Sequence, residues 1–377
     1  MSCDDQSRLD PALDLCLEIK IANLLRPLWP LVNLATVRID FRGSVARPAS
    51  AVITPLGAGV PRSSWGEGSS GGAPIQQRLA TLTAHLVVAL VALVVIGGAT
   101  RVMQAGLACP DWPLCYGSLL PGGQLNLQVF LEWFHRLDAF VVGVALLVLT
   151  AASWLGRSRL PAWLPVASLM ALLLVAVQGG LGALTVTRLL AAPLVTAHLA
   201  TALTLVILLS GVHQALVVSA PVQPTAVGGS PAAVPRWWLP LLLLSLALVL
   251  SQCLLGGSLA STWAAERCLT AGDGCELLWR HRLVARPAAV AVLLLLPASW
   301  ALPPGQRWQR WACLAAALLV VGQVVLGITT LRLGLAVPAV TIAHQAVAAL
   351  LVALLGASLG RTLALPFRPA TPVPSHG

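Results

Sequence analysis

The sequence has little charge for its length. Charged residues make up 10% of its 377 residues, hydrophobic residues make up 58%, and Lys20 is the only lysine. A soluble protein of this size carries roughly a quarter charged residues, so the composition excludes an ordinary soluble domain. We therefore expect a protein with several membrane spans, embedded in a lipid bilayer.

The charge that is present is mostly arginine, and the formal net charge is +10. In a soluble chain this excess would suggest nucleic-acid binding. Here most arginines lie between apolar segments, where the rule that positive loops stay in the cytoplasm explains them. We predict that no nucleic acid is bound.

The first 77 residues lack the pattern of a signal peptide, because no basic stretch precedes a compact apolar one. Residues 24–34 are apolar but too short to span a membrane, and Pro27 and Pro30 interrupt them. A Gly/Ser run follows at residues 66–72. Residues 1–77 are thus expected to be a disordered cytoplasmic extension or the product of an upstream start codon.

Eight apolar segments follow, each about 20 residues long, which is the length needed to cross a ~30 Å hydrocarbon core as a helix. We predict an all-α polytopic membrane protein with eight transmembrane helices. The segments are 79–99, 128–152, 162–183, 193–217, 238–258, 277–300, 311–331 and 339–360.

Arginine placement predicts the orientation of these spans. The segments 153–161, 218–237, 301–310 and 361–377 all carry arginine and fall on one face when the spans alternate. This places both termini in the cytoplasm. We expect the membrane to be a bacterial cytoplasmic membrane. The two loops that contain paired cysteines then face outward, where disulfides can form.

The apolar region is a tandem repeat. His135 and His198 lie in its first half, and His281 and His344 lie 146 positions further on. Each half has four spans, an even number, so both halves have the same orientation and a pseudo-two-fold axis along the membrane normal is expected. The clearest matching segments are residues 178–203 with 322–350, 134–139 with 280–285, and 96–115 with 255–275.

The repeat predicts two tandem four-helix bundles. Residues 78–217 would form the N-terminal half, and residues 238–360 would form the C-terminal half. A cytoplasmic linker, 218–237, would join them, and residues 361–377 would form a cytoplasmic tail. The four histidines indicate what each half could bind.

All four histidines lie about 6–11 Å from the outer ends of their spans, at 1.5 Å per residue. Each half has one on its second helix and one on its fourth, an arrangement that can hold a flat ligand from both sides. Haem iron accepts imidazole at both axial positions. The alternative is hydrogen-bonded core histidines, but the repeated spacing favours iron ligands at His135, His198, His281 and His344.

The two halves differ next to the first histidine. Glu132 lies three residues before His135 on the same helix face, whereas the corresponding residue before His281 is Leu278. A carboxylate within a membrane span indicates function, and Glu132 could accept a proton or stabilise positive charge on a substrate carbon. The alternative is an ion pair between Glu132 and a nearby arginine, Arg136 or Arg101.

Arginine follows the second-helix histidine in each half, as Arg136 and Arg282. Such arginines could bind the carboxylates of a haem. They could equally extend toward the membrane interface, where their charge is hydrated.

The outer loops each contain two cysteines. Cys109 and Cys115 flank a segment with two prolines that restrict the loop and could hold the thiols close together. We expect a structural disulfide here, with a redox-active pair as the alternative. Cys268 and Cys275 are expected to form a structural disulfide.

These motifs together resemble the haem A synthase family over residues 79–360. The residues that carry the resemblance are TRVMQAGLACPDWPLC (100–115), EWFHR (132–136), AHL (197–199), HR (281–282) and AHQ (343–345). The family pattern often has serine where this chain has Ala108.

The resemblance implies an eight-helix membrane oxidoreductase that oxidises the C8 methyl group of haem O to a formyl group, giving haem A for cytochrome oxidase. It implies haem b as cofactor at His281 and His344, and substrate haem O near His135, His198 and Glu132. It further implies proximity to haem O synthase, while a homo-oligomer is left open. The alternative function is a non-catalytic bis-histidine di-haem cytochrome, which would explain the histidines but neither Glu132 nor the cysteine loop.

Overall fold

The computed structural model describes residues 72–219 and 233–365, and in these ranges the secondary structure is helical, with no β-strand beyond an isolated bridge between Cys115 and Ser118. A 3-10 turn, Gly122–Gln124, lies between the first two long helices. The helices are α1 (Gly72–Val102), α2 (Leu127–Leu155), α3 (Leu164–Thr187), α4 (Ala192–Val218), α5 (Trp238–Ser261), α6 (Ala264–Ala271), α7 (Cys275–Trp300), α8 (Arg307–Arg332) and α9 (Pro338–Ala364).

Eight of these helices are long and apolar enough to cross a membrane, so the predicted spans are confirmed. The prediction missed α6, whose eight residues are too few and too polar to resemble a span. Positive φ angles at Trp263 and Gly272 separate α6 from its neighbours. The start of α1 at Gly72 makes residues 72–77 helical, and the rest of the predicted extension lies outside the described residues.

Local sequence signals explain where several spans begin. Proline occupies the first turn of α3, α4 and α9 as Pro165, Pro193 and Pro338, where its missing N–H costs no helical hydrogen bond. Asn126 precedes α2, and its side-chain oxygen accepts the N–H of Val129 at 3.0 Å. The remaining ends are set mainly by the change from apolar to polar sequence.

The long helices pack as two rings of four. In the first ring α1 contacts α2, α2 contacts α3, α3 contacts α4 and α4 contacts α1; helices α5, α7, α8 and α9 repeat this pattern. The rings meet where α4 packs on α9, α1 on α9, and α4 on α5. In the repeat, α1, α2, α3 and α4 correspond to α5, α7, α8 and α9. Each contact between the rings therefore has an equivalent in which the two halves are exchanged, for example α1 on α9 and α5 on α4. This agrees with the two tandem bundles and the pseudo-two-fold axis expected from the repeat.

Glycine allows α4 and α9 to approach closely at the centre of this arrangement. A Cβ on Gly356 would lie 2.8 Å from the Cα of Ile207, and a Cβ on Gly360 would overlap the backbone of Gly211. Small residues at helix crossings permit such contacts within membranes, where association depends on packing rather than on water exclusion. The two halves are therefore joined backbone to backbone.

We predict that Gly360→Ala lowers the free energy of unfolding by about 1–3 kcal/mol, because the new methyl group must displace the backbone of α4. Thermal unfolding of the detergent-solubilised chain measures this. Gly322→Ala on α8 is the matched control, since a Cβ there meets nothing within 4 Å. Equal loss of stability in the two variants would contradict the packing argument.

Candidate functional site

A cavity of about 2720 Å³ lies among the long helices, and all four histidines line it together with Glu132. Pockets for single small molecules are usually about 300–1,000 Å³, so this cavity has room for more than one such ligand. The sequence predicts two sites, one at each histidine pair. In the structure both pairs line one continuous, mainly apolar cavity.

The first pair has the spacing of two axial ligands. The ring centres of His135 and His198 are 6.4 Å apart. An imidazole nitrogen binds a metal at about 2 Å and lies about 1 Å from its ring centre, so two rings on one iron have centres about 6 Å apart. Within the described part of the chain, Nδ1 of each ring is buried without a hydrogen-bond partner. Such buried groups are costly unless a ligand or partner satisfies them.

Each of the four histidine rings lies against a glycine of the preceding long helix. The pairs are Gly97 with His135, Gly182 with His198, Gly256 with His281, and Gly327 with His344. A Cβ on Gly97, Gly256 or Gly327 would lie 3.0–3.1 Å from the ring atom Cε1 and crowd the ring, whereas a Cβ on Gly182 would make ordinary contact at 3.5 Å. The sequence interpretation did not single out these glycines, although all four occur in segments that it aligned.

The second pair has side-chain amides beside its rings. Nε2 of Gln252 is 3.1 Å from both Nδ1 and Nε2 of His281, and Nε2 of Gln323 is 3.3 Å from Nε2 of His344. An imidazole that binds a metal through one nitrogen donates the N–H of its other nitrogen, so its partner must offer an acceptor. Oε1 of both glutamines is buried without a hydrogen-bond partner among the described residues. An exchange of the amide N and O positions would turn each carbonyl toward its ring, so these amides are placed to orient the second pair.

The first pair lacks this arrangement. Gln178, at the position that corresponds to Gln323, donates to the backbone carbonyl of His198 at 3.0 Å and accepts a hydrogen bond from Thr201. Leu93 stands where the second half has Gln252. The rings of the first pair are therefore held less firmly by side chains, a difference that the sequence interpretation missed although the aligned repeats contain it.

Glu132 binds the loop between α1 and α2. It is 5% exposed; its Oε2 accepts the N–H of Cys109 at 2.8 Å, and its Oε1 pairs with Nη2 of Arg136 at 2.6 Å. Arg136 also donates to the carbonyls of Asp111, at 2.7 Å, and Leu114. The ion pair considered for Glu132 is therefore formed, and with Arg136 rather than with Arg101.

The segment between α1 and α2 and the segment between α5 and α7 each contain a disulfide. The pairs are Cys109–Cys115 and Cys268–Cys275, which are the pairings expected from the sequence. Cys268 lies in α6 and Cys275 begins α7, so the second pair joins two helices rather than lying within a loop. In the first loop, Asp111 accepts the N–H groups of Tyr116 and Gly117, and the bond from Gly117 lowers the pKa of Asp111.

Arg101 lines the cavity and joins the two halves beside it. Its Nη2 donates to the carbonyls of Ala260 and Ser261 at 2.9 and 3.2 Å, and its guanidinium lies 3.7 Å from the ring centre of Trp263. These carbonyls end α5, where a cation is favourable. Arg282 also lines the cavity, and no hydrogen bond or ion pair to it is found among the described residues.

The fold and the site define a multi-pass helical membrane protein with two histidine pairs in a duplicated bundle. Residues 78–355 match the COX15-CtaA family, described as cytochrome oxidase assembly protein. This match covers most of the chain, and the chain belongs to that family.

Three curated relatives carry the name Heme A synthase. The protein from Shewanella oneidensis is 33% identical over 207 residues, 51% of this chain. Those from Bacillus licheniformis and Lysinibacillus sphaericus are 38% and 41% identical over 23% and 18% of this chain. The alignments span 59%, 29% and 23% of the relatives' own lengths, less than two thirds in each case.

We predict that Arg136→Leu exposes the Cys109–Cys115 disulfide to reductant, because the variant removes the donors that hold three loop carbonyls and one oxygen of Glu132. The rate of reduction by a water-soluble phosphine should rise at least about tenfold, the effect of losing one charge-assisted hydrogen bond.

The control is Arg280→Leu, which removes an exposed ion pair with Glu276 and should leave that rate unchanged. The Cys268–Cys275 disulfide serves as an internal reference in each sample. An unchanged rate in Arg136→Leu would show that Arg136 does not hold the loop.

Proposed function

We propose that this chain is a haem A synthase, an oxidoreductase that converts the C8 methyl group of haem O to a formyl group. The observation that carries the proposal is the buried Glu132 beside His135, in a half whose counterpart has Leu278 at this position. The names of the three relatives support the same activity. The non-catalytic di-haem cytochrome would need no such asymmetry.

In this proposal His281 and His344 of the second half would hold haem b through its iron. Haem b, when bound, supplies a one-electron redox centre. The residues fit this group, because Gln252 and Gln323 contact the two imidazoles and the cavity beside them is apolar. Oriented imidazoles suit a ligand that stays bound.

The first half binds haem O as substrate, with His135 and His198 positioned at its iron. Their unpartnered ring nitrogens and their spacing support this role. Oxidation of a methyl to a formyl group removes four electrons from the carbon in two hydroxylations, followed by the loss of one water. These electrons would pass through haem b in the second half to an external acceptor. Glu132 provides oxygen atoms that accept a proton, or that stabilise positive charge on the reacting carbon. Arg136 holds Oε1 and so keeps the carboxylate in place.

We further propose the arrangement in the membrane. The chain lies in a bacterial cytoplasmic membrane with both termini in the cytoplasm, so that the disulfide-bonded segments face the oxidising side. Residues 78–217 and 238–360 are the substrate and cofactor halves. Haem O is poorly soluble in water, which favours direct transfer from haem O synthase.

Product analysis tests the reaction. The chain is co-expressed with haem O synthase in a host that lacks haem A, and extracted haems are separated. Wild type should yield haem A or its hydroxylated precursor. Glu132→Ala should lower the yield by about 10²-fold or more, the usual contribution of a positioned acid or base.

Asp138→Ala is the matched control, because Asp138 lies on the same helix and is not among the residues that line the cavity. Its yield should equal that of wild type. Haem O and haem b alone from a folded, haem-loaded wild-type chain would refute the synthase. Full yield from Glu132→Ala would remove that residue from the reaction.

The division of labour between the halves has a separate test. His281→Ala should lose the haem b that co-purifies with the chain, because an axial ligand is removed. His135→Ala should retain it. Absorption spectra of the purified variants, with haem stoichiometry per chain, measure both. Retention of haem b in His281→Ala together with its loss in His135→Ala would reverse the assignment.

A further inference from the structure

Arg286 is an arginine deep within a membrane helix. At 1.5 Å per residue it lies about 16 Å from the start of α7 at Cys275, and about 8 Å beyond His281. It lines the cavity, as does Arg282 one turn before it. A charged side chain at this depth is costly and normally faces a partner or a functional cavity.

No carboxylate of the described membrane helices serves as that partner. These helices contain three: Glu132 is bound by Arg136, Glu276 pairs with Arg280, and Asp138 is absent from the cavity lining. Among the described residues no hydrogen bond or ion pair to Arg282 or Arg286 is found.

Two like charges one turn apart on a helix also repel each other. An anion in the cavity would remove both costs. Both arginines line the cavity, and Arg286 lies near the middle of α7, so an anion on a ligand inside the cavity suits them better than a lipid headgroup at the interface.

The first half has no such pair. Arg136 corresponds to Arg282, but Glu132 and the loop carbonyls already occupy it. Phe140 corresponds to Arg286 and also lines the cavity. The duplication has therefore left two available guanidinium groups in one half and none at the same positions in the other.

We propose that Arg282 and Arg286 form a carboxylate-binding subsite for the porphyrin held by His281 and His344. Guanidinium groups bind carboxylates through paired, charge-assisted hydrogen bonds, and a haem carries two carboxylates. The ligand of the second half is then retained by charge as well as by its iron ligands. The ligand of the first half is held without this subsite, which suits a substrate that must leave. This inference rests on the proposed function.

Esterified haem tests the subsite. The full chain carrying His135→Ala is purified from haem-depleted cells, so that it carries no haem b, and is then titrated with haem b and with its dimethyl ester. Binding in this variant reports the second half. The absorption spectrum of iron with two imidazoles gives the dissociation constants. The ester should bind at least about tenfold more weakly than the free acid, the effect of losing one charge-assisted hydrogen bond.

Adding Arg286→Leu should weaken binding of the free acid by about tenfold and leave binding of the ester unchanged. Arg286→Lys should restore part of the preference for the acid. Arg280→Leu is the matched control, since Arg280 lies on the same helix outside the cavity lining. Its affinities should match those of the parent chain.

Three outcomes overturn the proposal. Equal affinity of the parent chain for acid and ester means that no carboxylate is recognised, and points to another anion. Equal weakening of acid and ester by Arg286→Leu means that the arginine only stabilises the fold. Failure of the haem-free chain to give a spectrum that depends on His281 refutes haem at this pair, and with it both the proposed function and the subsite.

Discussion

The close contact between α4 and α9 determines how the rest of the molecule is arranged. Gly211 and Gly360 let the two backbones meet, and these helices also carry His198 and His344. The crossing lies about 20–24 Å along the helices from these two histidines. It holds the two halves together, and both histidine pairs line the same cavity.

The residues that could carry chemistry in the cavity are those that differ between the two halves of the repeat. The backbone frame, the four histidines and their four glycines are shared by both halves. Glu132 with Arg136 occurs in the first half, and Gln252 with Arg286 occurs in the second. One half has a buried carboxylate and, in the described part of the chain, imidazoles without a side-chain amide at the ring, which suits a reaction on an exchanging ligand. The other has amide-held imidazoles and available cations, which suits a resident one.

Much of the fold could be predicted because its signals are local. Runs of about 20 apolar residues define the spans, and the 146-residue offset between histidines reveals the duplication. The cysteine pairs were also predictable, since short loops keep the thiols close. The short helix α6 was missed because eight mixed residues resemble a loop. The amides of Gln252 and Gln323 were missed because a glutamine in an apolar run gives no sign of its neighbour.

The sequence by itself determined the number of spans, the repeat, the four candidate ligands and Glu132, since hydropathy and spacing depend only on the order of residues. The tertiary structure alone decided that the two sites share a cavity and that Arg136 is occupied while Arg282 is not. Arg136 and Arg282 follow equivalent histidines in equivalent helices and look alike in the sequence. They differ in what folds against them, and an ion pair or hydrogen bond exists only where the fold brings its two partners within about 3–4 Å.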